Sequence, residues 1–318
     1  MKKQVLIFIG LMALLSGCKS EQHVSIPPKG YSSNAMLKMA YAAGTLKIVE
    51  TDFPIPETIK EYKDVTYKTL DSIALKLDIY HTKSLKGKAP LIIFIHGGSW
   101  KKGNKDDYLV YLTSYAEKGY VTATVQYRLA GVAKFPAQLL DVQDAVVWLK
   151  QNADAFHIDP GKVALVGGSA GGHLAMMNAF TNSSKTASDK DPFTPKVQAL
   201  VNFYGPCDLI DVAEKDKPTV EYFIGKSEQE APELYKAASP LYFITKMAPP
   251  TITFHGTLDE LVPYEQSDRL HEKLEELGVP SYYHKLEGWP HTLDASVKVN
   301  AYAQYHMDRF FEKHIPKN

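Results

Sequence analysis

Ser169 sits in Gly167-Gly168-Ser169-Ala170-Gly171, flanked by residues with little or no side chain. Residues 162–166 before it read as a short buried strand, and 172–180 after it as an apolar helix. A serine on a sharp strand-to-helix turn stands clear of the backbone at the helix start, where unpaired N–H groups favour negative charge. Small neighbours let the chain turn without a side-chain clash. This suits attack on a carbonyl carbon that leaves an oxyanion beside the helix. Such a serine needs a general base, an acid to orient the base, and donors for the oxyanion.

Each requirement has a candidate directly after an apolar run. Residues 91–95 lead into His96-Gly97-Gly98-Ser99-Trp100, where glycine lets backbone N–H groups point into a crevice. One such donor is worth about 3 kcal/mol to a developing oxyanion. The Ala170 N–H, next to Ser169, is the expected partner donor. Residues 251–254 lead into His255-Gly256-Thr257-Leu258-Asp259, so Asp259 is the candidate acid, while Glu260 beside it is expected to point elsewhere. Residues 282–286 lead into Glu287-Gly288-Trp289-Pro290-His291, a loop tightened by Gly288 and Pro290, and His291 is the candidate base. The other histidines fit the chemistry less well. His81 and His157 read as surface positions, and His96 and His255 as partners for loop backbone. His173, one helical turn past Ser169, reads as a packing or hydrogen-bonding residue. His23, His271, His284, His306 and His314 have no supporting context.

These loops need a frame that gathers them. Val65-Thr66-Tyr67 and residues 75–80 alternate like half-exposed strands around a turn at Asp71-Ser72. The unbroken apolar run 91–95, between Pro90 and Gly97, has the pattern of a strand buried on both faces. Further strands are predicted at 120–125, 163–166, 199–203, 251–254 and 282–286. Helices are predicted at 136–155, which opens on a proline and carries Leu140, Ala145, Val147 and Trp148 at helical spacing, and at 265–277 and 296–314. Strands alternating with helices make an α/β fold, a mostly parallel, doubly wound sheet with helices on both faces. Its ligand crevice lies at the carboxyl ends of the strands. Residues 208–247 break the alternation, carry charge and proline, and are expected to form a small lid over those ends. Residues 18–60 are expected to be a tether and then a cap, with a helix over 35–49, and 61–318 the main domain.

Lys+Arg and Asp+Glu number 36 each, so formal net charge is zero and there is no basic excess to hold nucleic acid. The chain has no His-Glu-x-x-His, no clustered cysteines, and no Gly-x-x-x-x-Gly-Lys-[Ser/Thr]. The glycine spacing at 167–172 is not that of a dinucleotide site. No metal or cofactor is therefore expected. Met1-Lys2-Lys3 and the apolar core 5–15 read as an export leader, too short to span a bilayer comfortably. Its end, Leu15-Ser16-Gly17-Cys18, resembles the lipobox of bacterial lipoproteins. That resemblance implies removal of residues 1–17 and lipid on Cys18, hence an exported, membrane-anchored protein of a bacterial cell envelope. Cys207 is the other cysteine, so with Cys18 lipidated no intramolecular disulfide remains.

The order Ser169, Asp259, His291 is that of the α/β-hydrolases. The chain resembles that superfamily over about residues 60–315, and within it the carboxylesterases related to hormone-sensitive lipase. The segments that carry the likeness are His96-Gly97-Gly98-Ser99, Gly167-Gly168-Ser169-Ala170-Gly171-Gly172, Tyr127-Arg128-Leu129, Asp141-Val142-Gln143-Asp144-Ala145, Ile158-Asp159-Pro160 and His255-Gly256-Thr257. It is most similar to bacterial esterases of the acetyl-xylan and feruloyl type, and to kynurenine formamidases that share His-Gly-Gly-x-Trp. The resemblance implies a serine esterase working through an acyl-enzyme on short-chain or glycan-linked acetyl or feruloyl esters. It maps the oxyanion donors to Gly98 and Ser99 with Ala170, and leaves Gly97 as an alternative. Ser99 departs from the third glycine of the family pattern. The alternatives are a formamidase using the same machinery, against which export argues, and an inactive hydrolase fold serving as a binding lipoprotein.

Overall fold

A computed structural model describes residues 24–71, 73–186 and 193–317. The leader, Cys18 and Ser72 of the expected turn lie outside the described residues. Eight strands form one sheet: β1 (Ile59–Leu70), β2 (Ile73–Thr82), β3 (Ala89–Ile95), β4 (Val121–Val125), β5 (Ile158–Gly168), β6 (Ala199–Phe203), β7 (Thr251–Gly256) and β8 (Ser281–Leu286). Their order is β1-β2-β4-β3-β5-β6-β7-β8. β1 and β2 pair antiparallel, as do β2 and β4; every later pairing is parallel. The fold is therefore the expected mostly parallel, doubly wound sheet of an α/β-hydrolase.

Successive side chains of a strand point to opposite faces, and the central strands are apolar on both. Leu91, Ile93 and Ile95 of β3 enter one core, and Ile92 and Phe94 the other. On the first face lie α3 (Ala137–Gln151), α4 (Ala170–Thr181) and α7 (Glu265–Glu276); on the second lie α2 (Leu109–Glu117) and α8 (Val297–His314). An element on each face differs from expectation. The strand alternation gave no sign of α2, whose Tyr111, Leu112 and Tyr115 are buried. In α3 the inward face is Leu139, Val142, Val146 and Leu149, while Leu140 is exposed. Four buried apolar side chains at about 1.5–3 kcal/mol each outweigh one leucine left in water.

The helix expected over 35–49 is the shorter α1 (Asn34–Ala42), N-capped by Ser33. The chain then runs without regular structure to β1, except for one bridge between Ile48 and Ser296. Residues 208–247 hold α5 (Lys217–Ile224) and α6 (Pro232–Ala237) with short 3-10 turns around them. His81, expected at the surface, is buried beneath the rings of Tyr62 and His157.

Candidate active site

Ser169 is the residue between β5 and α4, with φ 54° and ψ −123°. This left-handed backbone costs on the order of 1–3 kcal/mol for a residue with a side chain. It persists because both sides are fixed. The Ser169 N–H donates to the Phe203 carbonyl at 2.8 Å, and the His173 N–H donates to the Ser169 carbonyl at 2.9 Å. The glycine two residues on is required for contact: a Cβ on Gly171 would lie 2.0 Å from the Ile95 carbonyl. Helix α4 thus packs straight onto the end of β3.

The structure brings the three expected residues together. His291 Nε2 lies 2.9 Å from Ser169 Oγ, and His291 Nδ1 lies 2.7 Å from Asp259 Oδ2. Asp259 Oδ1 accepts from the N–H groups of Leu261 at 2.9 Å and Val262 at 2.8 Å. Burial of Asp259 opposes ionisation. The hydrogen bonds from His255 and His291 overcome it and hold the carboxyl well below the usual carboxylate range. Glu260 is exposed. The His291 loop is pinned from three directions. Gly288 N–H donates to Thr257 Oγ1 at 2.9 Å, Leu258 N–H donates to the Trp289 carbonyl at 2.9 Å, and the Trp289 indole N–H donates to the Pro28 carbonyl at 2.8 Å. The last bond comes from the segment before α1, so residues expected to be a tether clasp the loop that carries the histidine. Tyr31 adds a ring edge-on to Trp289 and an N–H bond to the Gly288 carbonyl at 2.9 Å.

Two residues of this layer were not foreseen. His255, read as a partner for loop backbone, does meet the Val262 carbonyl at 2.9 Å, but its Nε2 also lies 3.1 Å from Asp259 Oδ2. Two acceptors on Nε2 place its proton there, and Nδ1 meets Ser267 Oγ at 2.7 Å. Tyr204 packs its ring on His291 with centroids 4.5 Å apart and donates to Asp294 Oδ1. Tyr204 directly follows β6, so the strand-end rule that found the other loops also pointed to it.

The His96–Trp100 loop turns through three left-handed residues, Gly98 (φ 105°), Ser99 (φ 53°) and Trp100 (φ 57°). A Cβ on Gly98 would lie 2.2 Å from the Lys102 carbonyl. His96 Nδ1 meets the Gly97 carbonyl at 2.9 Å, and Tyr127 stacks on the His96 ring and donates its hydroxyl to the His96 carbonyl at 2.9 Å. Trp100 stacks on Phe223, and its indole N–H donates to His173 Nδ1 at 3.2 Å. His173 Nε2–H in turn donates to the Ala238 carbonyl at 2.7 Å. Burial holds His173 down at about 4, so its imidazole is neutral and can accept from Trp100. Among the described residues the N–H groups of Gly98 and Ser99 donate to no other group, and that of Ala170 opens α4.

Two cavities meet at Ser169. The smaller, about 140 Å³, is walled by Trp100, Leu209, Val212, Val220 and Leu261, three of them from residues 208–247. The larger, about 480 Å³, is bordered by Gly97, Gly98, Tyr108, Tyr111, His291 and Asp294. Its wall is polar. The hydroxyl of buried Tyr111 has no partner among the described residues. Burial pushes the Asp294 carboxyl up, against the hydrogen bond from Tyr204. Tyr108 and Tyr111 belong to the α2 region, so this wall left no mark in the strand pattern.

Sheet order, the strand-to-helix turn at Ser169 and the three loops define an α/β-hydrolase. A family model described as BD-FAE matches residues 77–274. With more than half of its length matched, the chain belongs to the BD-FAE family. It is 32% identical over 214 residues to "Esterase LipC" of Mycobacterium tuberculosis, covering 64% of this chain and 53% of that one. The chain spans about half the length of the curated relatives it matches. Among solved structures it is similar to a "Truncated form of carbohydrate esterase from gut microbiota", with TM-score 0.70 and 26% identity over 82% of this chain and 99% of that one. It is likewise similar to "Thermogutta terrifontis esterase 2 phosphonylated by sarin", with TM-score 0.70 and 25% identity over 83% of this chain and 98% of that one.

Proposed function

We propose that this protein is a serine carboxylic-ester hydrolase that removes short acyl groups from hydroxyl-rich, glycan-like alcohols through an acyl-enzyme. The observation that carries the reading is the hydrogen-bonded chain Ser169–His291–Asp259 with a cavity on each side of the hydroxyl. Ser169 Oγ attacks the ester carbonyl carbon while His291 Nε2 takes its proton. The negative oxygen is met by the N–H groups of Gly98, Ser99 and Ala170. The C–O bond to the alcohol breaks as His291 returns the proton to the leaving oxygen. Water then attacks the acyl-enzyme by the same route, releasing the acid and restoring Ser169. Asp259, ionised and held on both oxygens, fixes the His291 tautomer and stabilises its charged form. The sarin-phosphonylated state of the structural neighbour is consistent with a nucleophilic serine in this fold.

The two cavities argue for the substrate's shape. A dry space of about 150 Å³ takes a benzene-sized group, so the 140 Å³ cavity suits acetyl to butyryl groups better than feruloyl. The larger cavity, with Lys102, Asp107, Thr292 and Asp294 along its lining, suits a leaving group that offers hydroxyls. Residues 208–247 act as the lid of the acyl side. We further propose, on sequence alone, that residues 1–17 are removed and that lipid on Cys18 anchors the enzyme to the cell envelope. The test is a series of p-nitrophenyl esters and an acetylated xylo-oligosaccharide. Acetate through butyrate should be cleaved and octanoate at least about tenfold less efficiently, one factor of ten being about 1.4 kcal/mol. Lys102→Met should raise KM for the sugar acetate about fivefold, the loss of one hydrogen bond near 1 kcal/mol, and leave p-nitrophenyl acetate unaffected. Equal turnover of octanoate and acetate would remove the acyl-pocket assignment.

A further inference from the structure

Five of the thirteen large apolar side chains that stand exposed among the described residues lie in one short stretch: Ile26, Met36, Met39, Tyr41 and Ile48. Met39 and Tyr41 are 65% and 63% exposed. The stretch is also one-sided in charge. Residues 24–49 carry Lys29, Lys38 and Lys47 and no aspartate or glutamate, in a chain whose charges balance to zero overall. All three lysines are exposed, and none forms an ion pair among the described residues. Helix α1 turns Leu37 and Ala40 toward the second core and leaves Met36 and Met39 outside. Tyr41 and Ile48 border an apolar groove of about 200 Å³ over Trp289 and Leu46.

We infer that this strip is a lipid-contact surface, with its apolar side chains in the headgroup region of an anionic bilayer and its lysines on the lipid phosphates. Exposed methionine and tyrosine beside lysine, with no carboxylate, is the composition of an interfacial segment. Its place in the chain agrees. Asn34 follows Cys18 by sixteen residues, a tether of at most about 55 Å, so lipid on Cys18 would leave α1 within reach of the surface. A second copy of the chain is a poorer occupant, because a two-fold contact sets the same lysines against one another. Ile48 also borders the large cavity at Ser169. The contact therefore places one edge of the leaving-group cleft beside the membrane.

The experiment is hydrogen–deuterium exchange on the full chain, free in detergent, on phosphatidylcholine vesicles, and on vesicles containing phosphatidylglycerol. Slower exchange over residues 34–49 only on the anionic vesicles, weakened by salt, is the expected result. Lys38→Gln/Lys47→Gln should reduce that protection by up to about 30-fold, roughly fivefold per lysine. Met36→Ser/Met39→Ser should also reduce it, while p-nitrophenyl acetate hydrolysis in detergent stays at the parental rate. Identical exchange over 34–49 in all three states, with the chain bound to both vesicles through its N-terminus, would overturn the inference. So would concentration-dependent protection without lipid, which identifies a second copy as the occupant. Neither result bears on Ser169.

Discussion

Replacing His255 with leucine separates the support of Asp259 from the hydrogen-bonded chain Ser169–His291–Asp259 itself. His255 is wholly buried, and leucine is close to it in size but brings no polar atom. The variant leaves the Val262 carbonyl and the Ser267 hydroxyl without the partners they have at 2.9 and 2.7 Å. Two such orphans cost roughly 1–3 kcal/mol each, and losing one hydrogen bond to a charged group costs roughly another 1.5–3. Burying leucine offsets about 1.5–3 kcal/mol. The net is a loss of about 3–5 kcal/mol out of a total near 5–15. At about 2–4 °C per kcal/mol, Tm should fall by roughly 6–20 °C. Ser267→Ala removes only the outer bond and should cost about 1 kcal/mol. The Leu261 and Val262 N–H groups still hold Asp259 Oδ1, so kcat/KM of the folded His255→Leu enzyme should drop by no more than about tenfold. Thermal melts and urea titrations of both variants, with kinetics at 25 °C, decide the matter. A His255→Leu protein that melts within about 2 °C of the parent would show that the buried network contributes nothing net.

Other outcomes follow from the same physics. His173 and His271 are buried and held down at about 4, below the unfolded value of 6.5. The unfolded chain therefore takes up protons first, and as pH drops from about 6.5 toward 4 these two histidines alone should contribute a loss of stability approaching roughly 2–3 kcal/mol per pH unit. His271→Gln should flatten that slope in urea titrations at pH 5 and 7. Asp259, held below its unfolded value, adds stability that is complete above the ordinary carboxylate range and is lost only at more acid pH. Asp141→Asn should be severe. The buried Asp141 carboxylate takes Arg128 Nε at 2.7 Å and Nη2 at 2.9 Å and Lys68 Nζ at 2.7 Å, and breaking such a pair costs about 3–5 kcal/mol. A melting shift under 3 °C would contradict this.

What the sequence disclosed and what it hid divide along one line. Ser169, Asp259 and His291 were legible because each lies in a loop after an apolar run, and the carboxyl ends of a parallel sheet converge. Arg128 and Asp141 stood out only within matching segments, and their ion pair forms only when the fold brings β4's end against α3. The buried side of α3 was misread because Leu140 obeys helical spacing as well as Leu139 does; which of them faces the sheet depends on how the helix is set down. α2 was silent because its tyrosines are amphipathic and carry little periodic signal. The clasp on Trp289 joins residues 261 positions apart, through a backbone carbonyl that no side-chain pattern marks. The cleft wall of Tyr111 and Asp294 was hidden for the same reason, since its parts come from distant elements.

The most direct test of the account is covalent labelling with a fluorophosphonate, followed by intact mass and peptide mapping. The parent should gain one phosphonyl group, on Ser169, with loss of esterase activity in proportion. Ser169→Ala should take up none and lose p-nitrophenyl acetate hydrolysis while keeping the parental melting temperature within about 2 °C. An unlabelled Ser169 in a preparation that hydrolyses the ester, or a Ser169→Ala protein near parental turnover, would contradict the assignment of the nucleophile.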